Sequence, residues 1–209
     1  MPLQNRVMPT GEIVADPARG LLMGNRGCLH GPDRRLGIAR WRSKLWICCV
    51  LDFKGVQRDP MPPGRWTALF FLDEATALAA GHRPCAYCRR TAYDAFVKTW
   101  QHGHRLPARP RATELDAVLH EQRVGRNRQQ RTWVATFGRL PDGAMVRYGG
   151  RPALVLGECV LGWTFQGYER PVALDRSATV ELLTPPATVA TLAHGYQPVL
   201  HPSAYETAR

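Results

Sequence analysis

Leu69-Phe70-Phe71-Leu72-Asp73-Glu74-Ala75-Thr76-Ala77-Leu78-Ala79-Ala80-Gly81-His82-Arg83-Pro84-Cys85-Ala86-Tyr87-Cys88-Arg89-Arg90 is the stretch that decides how this 209-residue chain is read. Its aromatic start, continued upstream to Trp66, predicts a strand over 66–72. Asp73 is placed to cap a helix, and Glu74 falls in the first turn, where the helix dipole favours an acid. Ala75, Leu78 and Ala79 form one face of that short helix, and Gly81 closes it in the left-handed conformation. A tight turn, Cys85-Ala86-Tyr87-Cys88, comes next. A second helix is predicted from about Arg89 to Gln101, with Tyr93, Phe96, Val97 and Trp100 at i, i+3, i+4 and i+7.

Upstream, residues 45–53 are the clearest buried strand, rich in Trp, Ile, Val and Leu. A shorter strand over 21–23 runs into the turn Gly24-Asn25-Arg26-Gly27. Residues 1–20, with Pro2, Pro9, Pro17 and few apolar anchors, read as a loose N-terminal arm. Downstream, Pro107 and Pro110 make 102–111 the natural boundary. A third helix is expected from Thr113 to about Val124, with Leu115, Val118 and Leu119 inward. The pattern then turns to strands over 132–137, 145–148, 153–156, 160–165 and 179–183, with Gly149-Gly150 as a hairpin turn. A last short helix follows Pro185-Pro186 and ends at Gly195. The expected class is α+β: an arm over 1–20, a metal-binding module over 21–106, and a helix plus a small β-rich unit over 107–209.

The pair Cys85-x2-Cys88 can hold two corners of a tetrahedron about one zinc ion, and a helix directly after the pair is the usual context of such a knuckle. A redox pair would instead follow a strand in a βαβ unit, and here the pair follows a helix. Cys48 and Cys49 are adjacent on a strand and point to opposite faces, so one of them can face the knuckle. The remaining ligand candidates are Cys28, His30, Asp52 and His82. Cys159, in the β-rich half, reads as a core residue.

The stretch 69–90 resembles the second half of the Ada-type metal-binding domain of bacterial proteins that repair methyl phosphotriesters in DNA. The shared features are a strand ending in aromatics, a short alanine-rich helix and a Gly-x-Arg-Pro-Cys-x-x-Cys-Arg run, here Gly81 to Arg89. His82 stands where the family has an aromatic, and Asp52 stands four positions beyond Cys48, where the family has a second cysteine. With the strand over 45–53 the likeness covers about a quarter of the chain. It implies an Ada-like zinc module followed by a small β-rich unit, with Zn2+ held by Cys85, Cys88 and a set drawn from Cys48, Cys49, His30 and Asp52. It also implies contact with DNA, and makes Cys48 or Cys49 the counterpart of a cysteine that accepts a methyl group. A metal-held thiolate remains nucleophilic.

Charge points the same way. The net charge is +11, and residues 1–111 carry 18 basic and 8 acidic side chains, against 10 and 9 in the remainder. Such a balance suits a polyanion, duplex or single-stranded DNA above all. Arg83, Arg89 and Arg90 near the knuckle and the cluster Arg126, Arg128 and Arg131 are the candidate phosphate contacts, with Trp133 available for stacking. A second class of function is an enzyme acting on a nucleobase or small anionic substrate in a cleft between the halves. Its general base would be His120, one helical turn from Asp116. A third is a protein-interaction module with a Trp-rich surface. No apolar run approaches the ~18 residues of a membrane span, and no charged-then-apolar leader opens the chain. A cytoplasmic location follows as the expectation, with cysteines reduced, metal-bound or buried.

Overall fold

The computed structural model describes residues 1–56, 59–125 and 128–206. The mixed α+β class expected from the sequence is what it shows, as two six-stranded sheets with helices packed on them. The first sheet comprises β1 (Gln4–Val7), β2 (Ile13–Ala15), β3 (Leu22–Asn25), β4 (Ile47–Val50), β5 (Leu69–Phe71) and β6 (Arg83–Pro84), in the order β2-β1-β5-β3-β4-β6. Two of its pairings are parallel, β1 with β5 and β4 with β6. The second comprises β7 (Trp133–Thr136), β8 (Met145–Tyr148), β9 (Arg151–Leu156), β10 (Cys159–Thr164), β11 (Gly167–Ala173) and β12 (Thr179–Leu182). It is antiparallel throughout, in the order β11-β10-β9-β8-β12-β7.

Helix α1 (Glu74–Ala79) joins the two sheets. It touches both β5 and β8, and all six of its residues are buried. Ala77 and Ala80 face a core with Val7, Leu22 and Phe71, whereas Ala75 and Ala79 face one with Met145, Leu154 and Trp163. A helix covered on every side needs small residues all round, which accounts for its alternating alanines. Leu78 enters a third core with Phe96 and Trp100 of α2 (Arg90–Gly103), Leu115 and Leu119 of α3 (Ala112–Arg123), and Leu192 of α4 (Pro186–Ala193). Val146 and Val155 of the second sheet complete it, so the two halves share one interior.

The start of α1 carries two buried carboxylates. Asp73 caps the helix as expected, accepting from Thr76 N–H at 2.9 Å, and also accepts from the Tyr168 hydroxyl at 2.7 Å and His201 N–H at 3.0 Å. Glu74 accepts two hydrogen bonds from Arg89 at 2.8 Å, one from the Tyr196 hydroxyl at 2.6 Å and one from Val199 N–H at 2.9 Å. These bonds strap the C-terminal segment across the helix start, ahead of the short α5 (Ser203–Glu206).

Three local expectations are corrected. Residues 1–20 are not a loose arm: β1 and β2 form a hairpin on the first sheet, and Val7 is fully buried. The turn expected at Gly24 lies later. β3 runs on to Asn25, and the left-handed residue is Gly27, with φ +96. Gly24 belongs in the strand because a Cβ there would sit 2.1 Å from the Ile47 carbonyl oxygen. β11 was not expected at all, since Glu169, Arg170 and Pro171 break its apolar run, and it tolerates them as an edge strand.

Candidate metal centre

β4 places the cysteines. Alternation along the strand turns Cys48 into the first core, where it is fully buried, and leaves Cys49 on the opposite face. The parallel register sets Cys48 beside Pro84, and Cys85 N–H donates to the Cys48 carbonyl at 2.9 Å. Cys85 is thereby held beside Cys49. The chain then turns through Ala86 and Tyr87, and Arg89 N–H donates to the Cys85 carbonyl at 3.1 Å as α2 begins. The sulfurs of Cys49, Cys85 and Cys88 lie within 4.8 Å of one another.

This geometry suits a thiolate-loving metal. Zinc binds sulfur at about 2.3 Å, so tetrahedral ligands sit about 3.8 Å apart, a spacing compatible with three sulfurs that all lie within 4.8 Å of one another. The Tyr87 N–H donates to the Cys85 sulfur at 3.4 Å, an interaction that stabilises a thiolate. The Cys49 thiol hydrogen-bonds Cys85 and, with the N–H groups of Cys88 and Tyr87, pulls Cys85 down to about 5 against the effect of burial. Donation of that proton holds Cys49 well above the ordinary thiol range, and burial raises Cys88. Binding of a cation by these three sulfurs would release their protons. Cys48 is different: burial pushes its thiol up, and its sulfur accepts from Arg89 at 3.5 Å.

The other ligand candidates are engaged elsewhere. His30 is held by the Thr67 hydroxyl at 2.6 Å and the Pro62 carbonyl at 3.1 Å. Asp52 accepts from Gly55 N–H at 3.0 Å within its own turn. Cys28 donates to the His30 carbonyl at 3.7 Å. His82 is fully buried behind Trp46 and Phe71, and burial beside Arg26 and Arg123 keeps it neutral. Among the described residues no fourth His, Cys, Asp or Glu joins the three sulfurs. Four positions beyond Cys49 stands Phe53, whose ring meets Tyr87 edge-on at 5.0 Å.

The sequence-selected arginines divide by burial. Arg83 is buried and forms a bidentate pair with Asp116, at 3.0 and 2.8 Å. Arg89 is buried against Glu74. Both are committed within the fold and are not presented to a phosphate. Arg90 is exposed and pairs with Asp94 one turn on. Arg128 and Arg131 are exposed and bond the carbonyls of Ile38 and Glu121. Arg126 lies outside the described residues. The pairing expected between Asp116 and His120 does not form, because Arg83 takes both oxygens of Asp116. His120 instead faces Arg123, Nδ1 to Nη2 at 3.3 Å, and lies edge-on to Trp41 at 5.4 Å. Burial and the charges of Arg123 and Lys44 lower its pKa. Among the described residues no carboxylate hydrogen-bonds His120, so the partner that the general-base reading requires is not found there.

Sequence reasoning passed over two further sets of residues. Glu74 is legible as a first-turn acid but not as the partner of Arg89 and Tyr196. Arg26 and Arg123 both lie over the Trp46 ring, at 4.1 and 3.9 Å from its centroid, and no local motif marks them. No helix among the described residues is long and apolar enough to cross a membrane. Compared with known proteins, the chain matches no protein-family model, no curated protein and no solved structure.

Proposed function

We propose that the protein holds a zinc ion on Cys49, Cys85 and Cys88 and binds DNA in a repair or modification role. The observation that carries the reading is the convergence of three sulfurs within 4.8 Å on a strand and a knuckle. Thiolates favour zinc over harder cations. Three protein ligands leave a tetrahedral ion one place for a water or an external group, the pattern of reactive rather than purely structural sites. Bound zinc would keep the three sulfurs deprotonated at neutral pH. Cys49 is then the thiolate that corresponds to the methyl acceptor of the Ada-type domain, and Cys48, packed in the core, is not.

DNA is the favoured partner because the net charge of +11 sits mainly in the half that contains the triad. The experiment is a salt titration of zinc-loaded protein with fluorescently labelled duplex and single-stranded DNA. Displacement of counterions should make log affinity fall against log salt with a slope of about −3 or steeper. Absent or salt-insensitive binding to both forms would refute the DNA part and leave the metal centre standing.

A further inference from the structure

A cleft of about 870 Å³, with no cysteine in its lining, opens between the β1–β2 turn, the end of α3, the segment 128–132 and the turn that joins β8 and β9. Its inner wall holds polar groups without partners. Arg26 is 2% exposed, donates through Nη1 to the Gly11 carbonyl at 3.0 Å and through Nε to His82 at 3.4 Å, and leaves Nη2 unbonded. Gln130 donates through Nε2 to the carbonyls of Ala79 and Leu183, at 2.7 and 2.9 Å. Those two bonds fix the amide; its Oε1 is buried and unpartnered in a residue that lines the cleft. The Thr10 hydroxyl is likewise buried without a partner. Arg26 Nη2 and Gln130 Oε1 converge on Gly11: a Cβ there would lie 3.9 Å from the first and 3.3 Å from the second.

Two carboxylates line the cleft, Glu12 and Glu181, and Glu181 is paired with Arg147, so neither forms an ion pair with the arginines of the inner wall. Among the described residues no carboxylate pairs with Arg26, Arg123, Arg40 or Arg128, all four of which line the cleft. Burial, reinforced by Arg40, pushes the Arg26 guanidinium below its usual range. A buried cation without a counter-charge is costly in the free protein, and an incoming anion removes that cost. Trp41 adds a half-buried aromatic wall at the mouth.

We infer that this cleft binds a nucleotide, its phosphate on the unpaired arginines and an N–H or O–H of its base or sugar on Gln130 Oε1. Arginines alone would suit any anion. The fixed acceptor demands a ligand that also donates, the tryptophan suits a flat ring, and the volume lies within the range of small-molecule sites. The nucleotide is either free or one residue of a DNA strand. The inference goes beyond the metal centre and does not depend on it.

The test uses the full chain and calorimetric titration with four probes: inorganic phosphate, the four deoxynucleoside monophosphates, the matching nucleosides and a short single-stranded oligonucleotide. Variants are Arg26→Met, Gln130→Leu and the rim pair Arg40→Glu with Arg128→Glu. The rim pair is exposed, so it keeps the test decisive if a buried variant fails to fold. Metal content is measured on every sample, which separates failure here from failure of the zinc reading. The expected result is binding of at least one monophosphate more tightly than phosphate or nucleoside, weakened tenfold or more in the rim variant. Binding of the oligonucleotide alone, lost in the same variants, supports a strand as the source. Phosphate binding as tightly as every nucleotide, no binding of nucleotide or oligonucleotide, or unchanged affinity in the folded variants overturns the inference.

Discussion

Replacing Glu74 by Gln should cost the protein more stability than any single change to its exposed ion pairs. Glu74 and Arg89 are both buried, and the carboxylate also receives Tyr196 and Val199. Glu74→Gln keeps the shape but turns an amide N–H toward the guanidinium and leaves a buried cation without its counter-charge. Breaking such a pair from one side costs about 3–5 kcal/mol. For a chain of this size each kcal/mol moves the melting temperature by about 2–4 °C, so a fall of about 6–20 °C is expected. The double variant Glu74→Gln/Arg89→Met, with no charge left to strand, should recover most of the loss. Glu158→Ala, which removes an exposed partner of Arg176, should leave the midpoint unchanged. Thermal denaturation followed by circular dichroism reads all three. A Glu74→Gln midpoint within error of wild type would refute the view that this carboxylate neutralises a buried charge and ties the C-terminal segment to α1.

Two further outcomes follow from single positions. His82 is buried and held neutral, with a folded pKa well below 6.5, so only the unfolded chain takes a proton as pH falls below that value. Its contribution is therefore complete above about pH 6.5 and is lost below it by up to about 1.4 kcal/mol per pH unit, until the folded pKa is reached. His82→Phe should flatten the acid limb of a stability–pH curve measured by urea titration, and an acid limb as steep as wild type would count against this account. Gly20→Ala would place a Cβ 1.7 Å from the Phe71 carbonyl oxygen, so backbone must move. A loss of about 1–3 kcal/mol in the same assay is expected, and a neutral result would mean that β5 yields there without cost.

Signals carried within a few residues were legible in the sequence. Asp73 as a cap, the apolar face of α2 and the opposed faces of Cys48 and Cys49 all depend on near neighbours. Which cysteine faces the knuckle depends on the pairing of β4 with β6, a register that no local pattern reveals. The arginines show the same limit. Arg83 looks like a phosphate contact until Asp116, 33 positions away, is brought to it, and Arg89 until Glu74 is. The N-terminal hairpin escaped because β1 has two polar residues and one charged residue among its four, and its place comes from parallel pairing with β5. The cleft was hidden most fully, since its converging groups on Thr10, Arg26 and Gln130 come from three distant segments.

Metal content tests the central claim most directly. Protein purified without chelator should be analysed by inductively coupled plasma mass spectrometry as wild type, Cys49→Ser and Cys48→Ser, each verified as folded. The expected result is one zinc per chain in wild type and in Cys48→Ser, and little or none in Cys49→Ser. Metal-free wild type that takes up no added zinc, or a Cys49→Ser protein that holds zinc as well as wild type does, would contradict a centre built on Cys49, Cys85 and Cys88.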